Sequence, residues 1–400
     1  MTKLELESEI QALRADTPGT AHRIHLNNAG AALMPRPVLD AVLEHLELES
    51  EIGGYEAAAA RTAEIQEAYR EVEGLVSAPE GTVAFVENAT AAFIQALSAI
   101  PFRSGDVILT TRNDYVSNQI QYLSLEERFG IRVERAPDME EGGADLHAMG
   151  ELVHRLRPRL VAMTHIPTSS GTVQDPAPIG AVCREKAIPF LVDACQSVGQ
   201  MPVDVGELGC TFLAATSRKF LRGPRGAGFL YVSEEALDQG LTPLFPDLRG
   251  ADWIDEDLMQ PAPDARRFEN WEFAWALVLG MGEAARYAGK VGLERIRDRA
   301  WRLAAALRER LDALPGVRVL DRGETLGAIV TVEVEGHDPG DLVRRLRKEG
   351  INTSSVDRAS AVLDFDEKGV EGALRLSPHY YNTVDEVETA VSTLERVMAE

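Results

Sequence analysis

Cysteine is scarce. The 400-residue chain has three, Cys183, Cys195 and Cys210. They show neither the paired spacing of a zinc site nor a disulfide framework. No metal centre and no disulfide scaffold are expected, and a reducing, cytoplasmic compartment suits the chain. Long apolar runs are also lacking: none approaches the roughly 20 residues that span a bilayer. Residues Met1 to Asp16 alternate acidic and apolar side chains, without the basic start and apolar core of a signal peptide. No membrane association is expected. Positive charge is the third shortage. Lys and Arg number 41 against 64 Asp and Glu, a formal net charge of -23. Nucleic acid needs a cationic face, so it is excluded as a partner. A few local donors would still suffice for one small anionic group.

Two catalytic fingerprints are missing as well. Gly223, Gly226 and Gly228 follow a basic residue and lead into an apolar run. A dinucleotide fingerprint instead follows a strand and opens a helix. A Ser-x-x-Lys nucleophile is a poor fit, because Thr216 stands three places before Lys219.

What remains is a soluble globular composition, 45% hydrophobic and 26% charged. The length exceeds the roughly 150 residues of one ordinary domain. Amphipathic helices are expected at Leu4–Leu13, Val38–Glu49 and Ala57–Val76. From residue 81, short runs rich in Val, Ile and Leu alternate with helical stretches. Strands are expected at Thr82–Val86, Val107–Thr110, Arg132–Arg135, Leu160–Thr164, Phe190–Val192, Phe212–Ala215 and Gly228–Val232. Such alternation predicts a mainly parallel sheet covered on both faces, with ligands at the carboxyl ends of its strands. A Pro- and Asp-rich loop, Pro243–Pro263, then leads to long helices and a second set of strands. The expected organisation is an α/β protein with a segment 1–30 packing on the smaller unit, a large domain at 31–264 and a smaller α/β domain at 265–400.

The chemistry should therefore lie just after the strands. Asn88-Ala89-Thr90 opens a helix, where free N–H groups suit a phosphate. Asp193 closes a strand and is followed by Gln196. Thr216-Ser217-Arg218-Lys219 follows another strand and offers an amine that can attack a carbonyl. Singly, each reads as an ordinary cap, turn acid or solvated basic loop. Together they match pyridoxal 5′-phosphate (PLP), which needs an amine, an acid for its ring nitrogen and a phosphate cradle.

The ordered motifs His25-Leu26-Asn27-Asn28-Ala29-Gly30, Asn88-Ala89-Thr90, Thr164-His165 with Ser170-Gly171-Thr172, Asp193 to Gln196, Lys219, and Leu374-Arg375-Leu376-Ser377-Pro378-His379-Tyr380-Tyr381-Asn382-Thr383 resemble the class V aminotransferase group of fold-type I PLP enzymes. The resemblance implies a PLP enzyme working as a homodimer on an amino-acid-like substrate. Lys219 would hold the cofactor as a Schiff base, Asp193 the pyridine nitrogen and Gln196 the phenolic oxygen. Ala89, Thr90, Thr216 and Arg218 would hold the phosphate, and Arg375 the substrate carboxylate. Asn28 and Ala29 fall in the substrate-side motif. Three places depart from the pattern. Tyr115 stands where a stacking histidine is common, Thr168 where an asparagine contacts cofactor or substrate, and Arg218 where a histidine precedes the lysine. Trp271, in the segment Arg267–Phe273, is a candidate wall of the substrate pocket. The stretch Asn352–Gly372 contains no cysteine, with Ser360 near the place of a sulfur-accepting thiol. The expectation is a β-eliminating lyase and not a cysteine desulfurase. An epimerase, racemase or aminotransferase on the same scaffold is the alternative, and a non-catalytic PLP-fold protein a third reading.

Overall fold

The computed structural model describes residues 3–400, with side chains from Ser8 onward. Met1 and Thr2, the start of the acidic–apolar stretch, lie outside the described residues. All seven expected strands form and build one sheet. Its order is Val83–Val86, Gly228–Val232, Phe212–Thr216, Phe190–Asp193, Leu160–Thr164, Val107–Thr110 and Arg132–Arg135. Gly228–Val232 runs antiparallel to both neighbours, and every other pair is parallel. The central strands are buried along their whole length, which is why they read as unbroken apolar runs. The edge strand Arg132–Arg135 is partly open to solvent and carries charge, as edges do.

Parallel order brings Thr110, Thr164, Asp193 and Thr216 to one rim of the sheet. The single antiparallel strand starts at the same rim, where Gly228 pairs with both Val86 and Thr216. A Cβ on Gly228 would lie 2.6 Å from the Ala215 carbonyl and 2.9 Å from the Asn88 carbonyl carbon. The missing side chain lets the Asn88 turn close onto the rim.

The smaller unit is a four-stranded antiparallel sheet in the order Val317–Val319, Val330–Val334, Gly372–Leu376 and Ser354–Asp357. The helices Leu293–Asp312, Pro339–Lys348 and Val384–Ala399 pack on it. Residues 24–27 join this unit, while Leu13 packs on the large core. Ile24–His25 pairs with Ile351–Asn352, and Asn27 bridges to Ser377.

The structure moves the boundary between the units. The helix Trp275–Val291 packs on the helices Arg36–Ile52 and Thr62–Leu75, and buries Val278, Leu279 and Met281 in the large core. Residues beyond 265 thus still build the large core, and Leu293 and Ile296 at the start of the next helix pack on it as well. Composition gave no sign of this, because a helix facing a large core and one facing a small core carry the same apolar stripe. The loop expected at Pro243–Pro263 also contains an exposed hairpin, Ala251–Asp255 with Leu258–Pro261. Among the described residues no helix is long and apolar enough to cross a membrane, and no acidic, His or Cys cluster could hold a metal ion.

The contact between Trp275–Val291 and Thr62–Leu75 is close because Gly282 lacks a side chain. A Cβ there would sit 2.5 Å from the Ala68 Cβ and 2.6 Å from its Cα. Gly282→Val is predicted to cost about 1–3 kcal/mol through overpacking, read as a lower denaturation midpoint. An unchanged midpoint would show that the two helices separate freely.

Candidate active site

Lys219 sits in a tight turn after Phe212–Thr216. The Gly223 N–H donates to the Ser217 carbonyl at 2.8 Å, and the Arg222 N–H to the Lys219 carbonyl at 2.9 Å. Arg222 adopts φ 64°, a left-handed backbone that arginine seldom takes. Its guanidinium is buried and donates from Nε to the Leu33 carbonyl at 2.8 Å and from Nη2 to the Thr17 hydroxyl at 2.6 Å. A third bond reaches the Tyr380 hydroxyl, and the Tyr381 ring centroid lies 4.5 Å away. One side chain thus ties the lysine turn to both ends of the chain. Lys219 itself is buried, with Nζ 5.8 Å from the Tyr115 ring centroid. Burial pushes its pKa down. Cys195 and Asp193 oppose that shift, while Arg218 and Arg375 add to it.

Asp193 closes the neighbouring strand and is fixed from both sides. Its Oδ1 accepts the Cys195 N–H at 3.0 Å, and its Oδ2 accepts Asn118 Nδ2 at 3.0 Å. The same Asn118 nitrogen donates to Asp114 Oδ1 at 3.1 Å, so both its hydrogens are used. Asp114 is a buried hub. It also accepts from the Tyr115 N–H at 2.7 Å, from Gln119 at 2.9 Å, from the Thr110 hydroxyl at 3.2 Å and from the Thr164 hydroxyl. Burial pushes its pKa up, against the pull of the Thr164, Asn118 and Gln119 bonds. Sequence reasoning missed Asp114 and Asn118. Asp114 stands in the loop before the helix Val116–Phe129 and Asn118 inside it, and no local pattern marks either as buried.

The Asn88 turn has the form expected of a phosphate cradle. Asn88 Oδ1 accepts the Ala91 N–H at 3.0 Å and caps the helix Ala89–Ser98. The first N–H groups of a helix, here those of Ala89 and Thr90, have no partner within the helix. Thr216 lies across the ladder from Gly228, which touches Asn88. On the opposite wall, the Thr168 hydroxyl accepts Gln196 Nε2 at 2.9 Å and Arg375 Nη1 at 2.8 Å. Arg375 Nη1 also donates to the Thr168 carbonyl at 3.0 Å. Gln196 Oε1 and Arg375 Nε are buried without a partner. Burial pushes the Arg375 pKa down to about 10, with Arg218 as the second cause.

Three expected residues are placed otherwise. Asn28 is fully buried and its amide is saturated: it donates to the Ser377 carbonyl at 2.7 Å and the His25 carbonyl at 3.3 Å, and accepts the Tyr381 hydroxyl. It holds the N-terminal segment to the stretch Ser377–Tyr381. Its neighbour Ala29 does reach the site, its carbonyl accepting Gln196 Nε2 at 3.2 Å. Arg218 turns to the Gly30 carbonyl, and the titrating groups that act on it are Arg225, Cys195 and Tyr115. Trp271 is exposed. Asn270, Glu272 and Phe273 line a small cavity with Val86, Glu87 and Ala227 near the Asn88 turn, but Trp271 does not. The stretch Asn352–Gly372 folds into the strand Ser354–Asp357, a turn and the helix Val362–Lys368. Asp364 anchors it, paired with Lys368 at 2.7 Å and accepting Asn113 Nδ2 at 3.1 Å.

These residues fit PLP. A buried amine, a pinned carboxylate and free helix-start N–H groups stand on one rim, and two unsatisfied buried polar atoms, Gln196 Oε1 and Arg375 Nε, stand on the wall built around Thr168. Asn118→Ala should leave the cofactor bound but free one oxygen of Asp193. A lost buried hydrogen bond of about 1–3 kcal/mol predicts a kcat lower by about tenfold to a hundredfold, with a shifted absorbance of the bound cofactor. Normal kcat and spectrum together would remove Asn118 from any positioning role.

The sequence model of the family described as Aminotransferase class-V matches residues 24–389. A probable cysteine desulfurase of Methanothermobacter thermautotrophicus is 30% identical over 96% of this chain and 97% of its own length. The apo structure of a cysteine desulfurase from Thermococcus onnurineus NA1 superposes with a TM-score of 0.89 at 26% identity, covering 97% of this chain and 98% of that one. A cystine C–S lyase in complex with its product cysteine persulfide shares the fold, with a TM-score of 0.84 at 22% identity over 95% and 99% of the two chains. The desulfurase relatives overturn the expectation that this enzyme is not a cysteine desulfurase. The cysteine-free stretch Asn352–Gly372 bears on where sulfur goes after the bond breaks, not on whether it breaks. The chain belongs to the class V aminotransferase family, the fold-type I enzymes that use PLP.

Proposed function

We propose that the enzyme breaks the Cβ–S bond of cysteine or a cysteine derivative, beginning with removal of the Cα proton. The observation that carries this reading is the Lys219 amine, buried, lowered in proton affinity and set among Asp193, Cys195, Arg218 and Arg375. PLP supplies, when bound, an aldehyde for the substrate amine and a ring that stabilises charge at Cα. The chain's own residues do the rest. Lys219 is suited to take the Cα proton and return one to the product. Asp193, held by Cys195 N–H and Asn118, is suited to the ring nitrogen, and Gln196 to the phenolic oxygen. Tyr115 offers an aromatic face. Ala89, Thr90 and Thr216 line the phosphate end. Arg375 has an unpaired Nε for the substrate carboxylate, a planar donor that lysine cannot copy.

Sulfur can then leave Cβ with the bonding electrons and needs no protein nucleophile to do so. Incubation with L-cysteine and S-substituted cysteines in deuterated water should give sulfide, persulfide or free thiol matched by pyruvate and ammonia where sulfur leaves with the electron pair, or a persulfide matched by alanine where an added thiolate attacks sulfur and the pair stays on carbon. Solvent deuterium should appear in the carbon product. Racemised amino acid or keto acid with the C–S bond intact would sink this reading.

We also propose a homodimer. Trp253, Ile254, Leu258 and Met259 are exposed on the hairpin Ala251–Pro261, beside an apolar groove lined by Ile94, Leu97, Phe129 and Leu244. A continuous apolar surface of this kind marks an interface. Sedimentation at working concentration should show twice the 43.7 kDa chain mass, and Trp253→Asp with Met259→Asp should shift the equilibrium to monomer. An active wild-type monomer would contradict the proposal.

A further inference from the structure

Arg135 spends its charge on a neutral amide. Its Nε and Nη2 donate to Gln119 Oε1 at 3.0 Å and 2.8 Å. The chain carries 64 acidic residues, and other arginines meet them: Arg249 pairs with Glu269 at 2.6 Å, and Arg308 with Asp321 at 2.8 Å. What Arg135 does shows on the far side of the amide. With its oxygen held by the guanidinium, Gln119 turns its Nε2 to Asp114, which accepts it at 2.9 Å. A flipped amide would set oxygen against the carboxylate and nitrogen against the guanidinium.

The chain of bonds runs on from Asp114. Its five donors are the Tyr115 N–H, the Asn118 and Gln119 amides and the Thr110 and Thr164 hydroxyls, all of them neutral. Five donors aimed at one buried carboxyl leave no place for a proton, so Asp114 carries its charge. The Asn118 nitrogen then bridges to Asp193 Oδ2 at 3.0 Å. Arg135, Thr110, Thr164 and Asp193 are the last residues of four neighbouring parallel strands. The bonds thus cross the rim from its open edge to the acid, a span of about 14 Å at the usual strand spacing.

Two carboxylate oxygens on one amide nitrogen lie within about 6 Å of each other, and there each charge raises the other's proton affinity by about one to two units. Tyr122, one turn beyond Asn118, faces the same pair. Its buried hydroxyl keeps its proton, with burial the first cause and Asp114 the second. Cys195 and Lys219 face Asp193 from the lysine side.

We propose that Asp114 is a positioning residue for the cofactor ring. It acts on Asp193 through Asn118 and on the aromatic face through the Tyr115 N–H, while Arg135 sets the direction of the chain through Gln119. Asp193 and the ring nitrogen hold one proton as a pair, and the second negative charge keeps that proton in place to higher pH. The proposal rests on Asp193 meeting the ring nitrogen, as read above, and is independent of which substrate bond breaks.

The test loads the enzyme with PLP carrying heavy nitrogen in its ring. The ring-nitrogen NMR signal is followed against pH, together with the circular dichroism of the bound cofactor. Asp114→Asn should lower the pH at which the ring loses its proton by about one to two units, because a negative charge has gone. Arg135→Met, at the half-buried sheet edge, breaks the chain without touching its hub. It should weaken the circular dichroism of the cofactor, and Arg135→Lys, which keeps a donor, should restore part of it. Gln119→Leu cuts the same chain and should match Arg135→Met, which keeps the test open where Asp114→Asn does not fold. A ring that releases its proton at the same pH in Asp114→Asn and wild type, or holds it throughout in both, would overturn the role of Asp114. Unchanged circular dichroism in Arg135→Met and Gln119→Leu would overturn the chain. Asp193→Asn is the control: a ring signal that it leaves unmoved would instead sink the placement of Asp193 on the ring nitrogen.

Discussion

A buried arginine holds the site together. Among the described residues Arg222 has no carboxylate partner, and its charge is met by a carbonyl, two hydroxyls and the faces of tyrosine rings. Those partners come from residues 17, 33, 380 and 381, while its backbone closes the turn that carries Lys219. Desolvating a guanidinium is tolerable only when nearly every donor is used. The lysine turn is therefore stable only when both ends of the chain are in place. The depressed proton affinity of Lys219 follows from the same closure, because the N-terminal and C-terminal segments help to exclude water from it.

Around that turn the site divides into walls with different tasks. The rim of the sheet supplies fixed groups, and Asp193 is the most constrained of them. Asn118 shares its two hydrogens between Asp193 and Asp114, so two carboxylates are held in register by one amide. Asp114 also fixes the backbone of Tyr115, the residue nearest in kind to a stacking partner. The opposite wall is built on the Thr168 hydroxyl, which accepts from Gln196 and Arg375 together. Its own hydrogen is then free to be donated elsewhere. The departure Thr168 thus couples a group suited to the cofactor with one suited to the substrate.

Much of this was legible in the sequence because burial on both faces leaves a plain mark. Strands such as Leu160–Thr164 and Phe212–Thr216 are apolar throughout, and Lys219, Asp193 and the Asn88 turn follow directly from their ends. The residues that position these groups left no such mark. Asn118 lies inside a helix whose polar residues look solvated, and only the fold turns it toward Asp193. Arg222 reads as part of a solvated basic loop, although it is among the most buried large side chains in the protein. Asn28 is the complementary case: its amide bonds to Ser377, His25 and Tyr381, partners that no local pattern foretells. Trp271 is half exposed in the single chain, beside Asn270, Glu272 and Phe273 that line the cavity near the Asn88 turn.

The pairing of Ile24–His25 with Ile351–Asn352, and of Asn28 with Ser377, has a consequence for synthesis on the ribosome. Chains emerge from the N-terminal end, and domains fold as they are completed. The large core, closed by the helix that ends at Val291, has all its strands well before the last hundred residues appear. Ile24, His25 and Asn28 must wait beside it without these partners. The nascent protein thus passes through a stage in which the sheet is built and Lys219 is in line, but the walls that keep water from it do not yet exist. Competence for chemistry arrives late and all at once, when the stretch through Tyr381 docks.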